Sequence, residues 1–273
     1  MSAAEPPQGA NSAPRGAAQR RQPQAWGDHI ALAIASVHTR FALLRRVQAE
    51  ALDTLDPRDV RAVRARGDLR RINYVMATLR IVLMALDRVA AAPPRSIVEL
   101  GAGDGSLMLR IARRRAKRWP GMHVVLVDRQ PVVSPHNLAA LRALGWSPEV
   151  VVADVFDWLA RTNDARCDIV LANLFVHHFT AERITALLGA IADRSNAFIC
   201  CEPRRDRVSL AASHSVRMIG ASAVTRHDAV ASVHAGFRGA EIGALWPQRG
   251  WRIDEYRAGL FSHCFVAARS SRS

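Results

Sequence analysis

The amino-acid sequence predicts an α/β protein: a doubly wound seven-stranded sheet, parallel except for one antiparallel C-terminal strand, preceded by a helical cap. Three observations carry that expectation. Five short apolar runs alternate with helical patterns between Ser96 and Cys201. A glycine-rich turn follows the first run. Two β-like runs, Trp251 to Tyr256 and Leu260 to Ala267, close the chain as a hairpin.

Taken in order, residues 1–25 are rich in Ala, Pro, Gln and Arg without an apolar period, and read as a disordered tail. They also lack the apolar core of a secretory signal. Residues 26–92 read as the helical cap. From Asp28 to Glu50, apolar residues recur at helical spacing, namely Ile30, Ile34, Val37, Phe41 and Leu44. Asp56-Pro57 offers a cap and a first-turn proline. A second helical stripe then runs through Ile72, Val75, Met76, Leu79, Val82, Leu83, Leu86 and Val89, and Pro93-Pro94 ends it. Residues 93–273 form the sheet domain. Strands are predicted at Ser96–Leu100, Met122–Val127, Val150–Ala153, Asp168–Ala172 and Ala197–Cys201, with helices at Ser106–Arg118, Asn137–Leu144, Val155–Arg161 and Ala181–Asp193.

Composition narrows the function classes. Nearly half of the 273 residues are apolar, enough for a core without disulfide or metal staples. The four cysteines show no CxxC spacing, so reduced core thiols and a cytoplasmic location are expected. Arg80 and Asp87 interrupt the longest apolar stretch, so no membrane span is expected. A net charge of +14 invites a nucleic-acid partner, but Lys117 is the only lysine, the arginine-rich usage of a GC-rich genome. Arg110, Arg113, Arg114, Arg115 and Arg118 surround one helix instead of marking one face. With aromatic residues at 6%, stacking platforms are scarce, so nucleic acid is not the expected partner.

The sharpest signal is Ile97-Val98-Glu99-Leu100-Gly101-Ala102-Gly103-Asp104-Gly105-Ser106, which joins the first strand to the following helix. There a ligand meets backbone N–H groups and a helix N-terminus. Side chains on those glycines would hold it away. Ser106 stands where a dinucleotide fingerprint wants its third glycine. Asp128 closes the second strand, where a carboxylate accepts hydrogen bonds from both ribose hydroxyls. Asp154-Val155 closes the third, offering an acid to an adenine amino group and an apolar cover to its ring. Each acid also reads as a helix N-cap, and for Asp154 both readings stay open.

These residues resemble the class I S-adenosylmethionine-dependent methyltransferases, whose first motif, (V/I)-(D/E)-(L/V)-G-x-G-x-G, is matched by residues 98–105. Cys167 to Asn173 resembles their fourth motif, and the resemblance extends over about residues 95–268. It implies a Rossmann-like fold and S-adenosyl-L-methionine as cofactor. Glu99 and Gly101 would hold the methionine end and Asp128 the ribose, with Ala102, Gly103 and Gly105 also binding the cofactor. Arg129, Asp154 and Val155 would flank the adenine, and Asn173 and Leu174 would line the sulfonium side.

Methyl transfer from a sulfonium is an in-line displacement, so alignment and desolvation supply much of the acceleration. A phenolic acceptor must also lose a proton, which calls for a general base near neutral pKa. His177 and His178 follow the fourth strand and are the candidates, His177 the favoured one. The plain alternative is that one of them caps the next helix or fills the pocket wall. Glu202, after the fifth strand, can orient a substrate hydroxyl or a histidine, whereas Arg204 and Arg205 read as surface charges. His227 and His263 read as structural, and no metal-ligand set is expected.

Asn173-Leu174-Phe175-Val176 lacks the (N/D)-P-P-(Y/F/W) signature of adenine and cytosine amino-methyltransferases. The loop from Asn173 to Phe179 instead resembles bacterial enzymes of secondary metabolism that methylate phenols, quinols or polyketides. An apolar helical cap suits a small, partly apolar acceptor. Oxygen is the expected acceptor atom and carbon the second. An RNA or protein methyltransferase using the basic surface, or a catalytically inactive methyltransferase-like binding protein, remain the alternatives.

Overall fold

The computed structural model describes residues 43–90, 92–161 and 166–270. The tail expected at 1–25, and the helical stripe as far as Phe41, lie outside the described residues. Seven strands form one sheet: β1 (Ser96–Leu100), β2 (His123–Asp128), β3 (Ser147–Val152), β4 (Cys167–Asn173), β5 (Ser195–Pro203), β6 (Trp251–Ala258) and β7 (Ser262–Arg269). Their order is β3-β2-β1-β4-β5-β7-β6, with only β7 antiparallel to its neighbours. The chain therefore reverses direction of travel between β1 and β4, which opens a crevice at the carboxyl ends of those strands.

The inner strands are continuous apolar runs because helices cover both faces. Successive residues point to opposite sides. Ile97, Leu126 and Ile169 pack with α3 (Thr78–Val89), α4 (Ser106–Arg115) and α5 (Pro135–Ala143), through Ile81, Leu86, Met108, Ile111 and Leu141. Val98, Val127 and Val170 pack on the other side with α6 (Val155–Arg161) and α7 (Ala181–Arg194), through Leu159, Ile184 and Ile191. Thus α3, the last part of the segment expected as a cap, lies in the sheet's own helical layer. Cys200, Cys201 and Cys264 are free and buried. No helix among the described residues is long and apolar enough to cross a membrane.

Around this sheet the structure corrects four local expectations. The second helical stripe is two helices, α2 (Val60–Val75) and α3, broken at Ala77, whose φ of 54° is left-handed. The halves share a helical phase but bury different surfaces, so periodicity alone could not divide them. Asp59, not Asp56, caps α2, accepting from the Arg61 N–H at 2.8 Å, while Asp56 holds the preceding turn through the Arg58 N–H. Residues 43–50 are not helical. They are held by distant partners: the Arg46 N–H donates to the His234 carbonyl at 3.0 Å, and the Arg45 guanidinium donates to those of Ala235, His177 and Phe179. A one-turn helix, α1 (Ala51–Thr54), follows. Finally, Arg204 and Arg205 are buried at 4% and 3% exposure instead of lying on the surface. Arg205 pairs with Glu241 and donates to the carbonyls of Leu43 and Gly236, which supplies the partners a buried guanidinium requires.

Two helices after β5, α8 (Arg207–Ser215) and α9 (Ala223–Ala235), close over the sheet's carboxyl edge beside α2. The tie between α2 and α9 is Asp68, which is buried and accepts from the Ser222 N–H at 2.7 Å and the Thr225 hydroxyl at 2.9 Å. Burial raises the pKa of this carboxyl, but those hydrogen bonds and Arg71 outweigh it and hold it below the usual range. The stabilisation is therefore present above the unfolded-state pKa near 4 and is lost as pH falls through the lower folded value. Asp68→Ala should cost about 1–3 kcal/mol at pH 7, read by denaturant unfolding. The gap to wild type should narrow as pH falls below about 4.

Candidate active site

The turn after β1 is shaped by glycine. Gly101, Gly103 and Gly105 all have positive φ, at 69°, 54° and 75°. A Cβ on Gly101 would stand 2.5 Å from the Phe175 ring, whereas one on Gly103 would meet nothing within 4 Å. The first glycine thus admits the loop after β4, and the second faces open space. Ala102 is buried beneath the turn, its N–H donating to the Val127 carbonyl. Asp128, at the end of β2, accepts from the Gly103 N–H at 2.8 Å and the Gln130 N–H at 2.9 Å, so the acid also latches the glycine turn.

The remaining sequence-predicted cofactor residues stand at or just after the carboxyl ends of β2, β3 and β4. Asp154 accepts from the Phe156 N–H at 2.8 Å, which is the capping reading, and Val155 is buried beside it. Arg129 is exposed and donates to the Asp53 carbonyl, which ties β2 to α1. Asn173 ends β4, and Leu174 adopts a left-handed φ of 53°, a strained conformation for a branched side chain.

Two buried polar atoms here lack partners among the described residues: Glu99 Oε2 and Asn173 Oδ1. Burial, with the charges of Asp104 and Asp128, pushes the Glu99 carboxyl up to about 8. An acid with an unpaired oxygen, surrounded by further acids, is a site for a cation. S-adenosylmethionine carries an ammonium and a sulfonium beside a ribose, and these residues fit it. Glu99 would meet the positive methionine end, Asp128 the ribose and Asp154 the adenine.

Beyond β4 the short turn Val176–His178 is fixed from below by Glu202, which is 0% exposed. Its Oε1 accepts from the N–H groups of Phe175 and Val176 at 3.1 and 2.9 Å. Its Oε2 takes the His177 N–H at 3.3 Å and lies 2.7 Å from His177 Nδ1. The other ring nitrogen of His177 is 3.2 Å from Glu50 Oε1, and Glu50 also accepts from the Ser232 hydroxyl. Burial disfavours a charged His177, yet hydrogen bonds to Glu202 and Glu50 and their charges override it and raise its pKa to about 9.

His178 differs. Its ring lies against that of His177, with centroids 4.2 Å apart and planes tilted by 31°, and its Nδ1 is 3.4 Å from Asp53 Oδ2. Burial and the adjoining His177 charge lower its pKa below the ordinary histidine value. One donor atom each from Glu50, His177 and His178 lies within 4.8 Å, a spacing that a divalent cation accepts. However, His177 engaged by carboxylates at both nitrogens has no lone pair to give a metal.

Glu50, Asp53, Arg45 and Ser232 carry no sequence signal for this site. Glu50 reaches His177 across 127 residues, and only the fold brings them together. Asp228, buried at 5% exposure, accepts from the N–H groups of Ala51 and Leu52 at 2.8 and 3.0 Å, which fixes Glu50 and α1 over the site. His263 is elsewhere, buried between β7 and β6 with its Nε2 2.6 Å from Glu255. Beside Glu50 and Leu174 a cavity of about 290 Å³ opens between α2, α8 and α9.

Residues 97–195 match a family described as a methyltransferase domain. The chain is 30% identical over 145 residues to the ribosomal protein L11 methyltransferase of Rhodopseudomonas palustris (strain BisB5), a match covering 49% of this chain and 48% of that protein. The chain therefore spans about half the length of the curated relative it matches. The plantazolicin methyltransferase BpumL, solved with a desmethyl plantazolicin analogue and S-adenosylhomocysteine, is similar with a TM-score of 0.53 and 14% identity, covering 75% of this chain and 91% of that one. The pyocyanin biosynthetic protein PhzM is similar with a TM-score of 0.52 and 19% identity, covering 90% and 68%. These structures share the fold.

If Glu99 meets the cofactor's cation, binding must draw off the proton that the buried carboxyl holds at pH 7. Calorimetry with S-adenosylhomocysteine in buffers of different ionisation enthalpy should therefore show close to one proton released at pH 7. Affinity should rise as pH increases towards about 8. Glu99→Gln should abolish the release and weaken binding; binding without proton release in the wild type would place the cation elsewhere.

Proposed function

We propose that this chain, which carries a class I S-adenosylmethionine-dependent methyltransferase domain, transfers the methyl group to an oxygen of a small, partly apolar phenolic or polyketide acceptor of secondary metabolism. The observation that carries this reading is the largely apolar cavity between the helices, lined at one end by Glu50, Leu174 and Ser232, with Glu50 joining it to His177. When bound, S-adenosylmethionine supplies a methyl group made electrophilic by its sulfonium.

The chain's own residues divide the remaining work. Glu202 fixes the turn after β4, and with Glu50 holds His177 as an imidazolium. His177 is therefore a positioning residue: together with burial, its charge keeps the adjoining His178 neutral, and its ring supports the His178 ring from one side. His178, with its pKa lowered and Nε2 without a partner among the described residues, is the group able to accept the acceptor's phenolic proton. This assigns the base to His178 in place of the favoured His177. Ser209 Oγ, buried in the cavity wall without a partner among the described residues, can bond a second polar group on the acceptor.

A protein acceptor is the second reading, favoured by the L11 methyltransferase relative. A cavity bounded by α2, α8 and α9 fits a small molecule better than a protein side chain on a backbone. Incubation with labelled cofactor, comparing a phenol and polyketide library with purified ribosomal protein, separates the two. Label in the phenolic products supports the proposal, and label only in protein refutes it.

His178→Ala should lower kcat by about 10²- to 10⁴-fold while affinity for S-adenosylhomocysteine stays within a factor of about two. The wild-type rate should rise with pH through a value below 6.5 and decline again near 9, where His177 loses its proton. His177 contributes stability that is complete below its unfolded pKa and disappears as pH rises through about 9. Undiminished turnover in His178→Ala at pH 7 would remove it from the mechanism.

A further inference from the structure

The cavity is longer than a compact phenol requires, and its length has a direction. The cofactor residues stand at the ends of β1, β2 and β4. The cavity floor continues away from them, from Leu174 after β4, to Pro203 at the end of β5, to Phe261 just before β7. Those three strands are consecutive in the sheet, so the floor crosses two strand spacings, about 10 Å. One wall is the stripe Ala65, Leu69, Ile72 and Val75 along α2, which runs for about 15 Å.

Beyond Ser209 Oγ, the facing helices offer little to a polar guest. Thr225 donates to Asp68 at 2.9 Å, and Asp228 is occupied by two backbone N–H groups. Ser213 and Ser215 return their hydroxyls to the Leu210 and Ala211 carbonyls of their own helix at 2.7 and 3.0 Å. What remains towards the lining is largely methyl and methylene surface.

The cavity also has an opening remote from the chemistry. Val75 and Ile219 line it, yet are 63% and 43% exposed, and both also border a second depression at the surface with Tyr74. Single exposed aliphatics are ordinary. Two that line a cavity and a surface depression together form an apolar lip between them.

We propose that the acceptor is an amphiphile. Its phenolic head sits at the end of the cavity lined by Glu50, Leu174 and Ser232, facing the histidine pair that Glu50 bonds, and an unbranched alkyl tail crosses over β5 towards β7 and leaves between Val75 and Ile219. The proposal rests on the oxygen-methylation reading above and narrows its substrate class. A tail in this channel is desolvated one methylene at a time, and each contributes about a fourfold gain in binding. The gain stops where the chain emerges into water, after roughly six to eight carbons for a floor of about 10 Å.

The test is a series of 4-alkylphenols, from methyl to dodecyl, assayed below their aggregation concentrations. Methylation is followed as kcat/KM, and binding to protein saturated with S-adenosylhomocysteine is followed separately by calorimetry. Affinity and kcat/KM should climb about fourfold per methylene and level off after roughly six to eight carbons. Ile219→Trp, which narrows the lip, should reduce the ratio of octylphenol to methylphenol kcat/KM at least tenfold. Affinity that climbs with chain length without any methylation supports the amphiphile channel and overturns oxygen methylation. Methylation of short phenols with no gain in binding or rate on lengthening overturns the amphiphile and leaves the methylation reading standing. Failure of every phenol to bind overturns the channel assignment, and the cofactor titration then reports separately on the domain.

Discussion

The buried carboxylate of Glu202 is the fixed point of the site. Removing a carboxylate from water is costly, and it persists in a protein only where donors converge on it. Here three consecutive backbone N–H groups and the His177 ring converge, so one side chain from β5 sets the conformation of the turn after β4. That turn holds Leu174 in its left-handed conformation and sets Phe175 against Gly101. Gly101 must then lack a side chain, which links the histidine pair to the cofactor turn through direct contact.

The electrostatic design follows from the same constraint. The chain carries a net charge of +14, yet its crevice gathers Glu50, Asp53, Glu99, Asp128 and Glu202. Part of that negative charge is met internally by the His177 imidazolium. The remainder around Glu99 is uncompensated, which is why burial and neighbouring acids raise its pKa to about 8. A positively charged protein has thus gathered acids in one cleft, a setting that a cationic cofactor would relieve. The arginines are used differently: Arg45 and Arg205 are spent on backbone carbonyls that hold residues 43–50 against the sheet domain, so a basic composition here serves internal ties as well as the surface.

Most of the sheet was legible in the sequence because its signals are local. The runs Ser96–Leu100 and Asp168–Ala172 are apolar on both faces, and the glycine turn follows the first directly. The edges were less legible: β3 begins at Ser147 and β5 reaches Pro203 because pairing with His123 and Ser262 extends them past their apolar stretches. The break at Ala77 was hidden by a helical phase common to both sides. In the site, the places of Gly101, Asp128 and Asn173 were readable since they stand at strand ends. The surroundings of His177 and Glu50 were not, because a ring flanked by two carboxylates is a tertiary fact. Arg204 and Arg205 were misplaced at the surface for a related reason, since their partners lie up to 162 residues away.

Two adjacent histidines are held in opposite charge states by their surroundings. Nitrogen-15 NMR of imidazole-labelled protein, followed from pH 5 to 10 in the presence of S-adenosylhomocysteine, reads both rings directly. His177 should remain an imidazolium through neutrality and lose its proton only near 9, whereas His178 should already be neutral at pH 7. A His177 ring that is neutral at pH 7, or a His178 ring that is still charged there, would contradict the assignment of clamp and base.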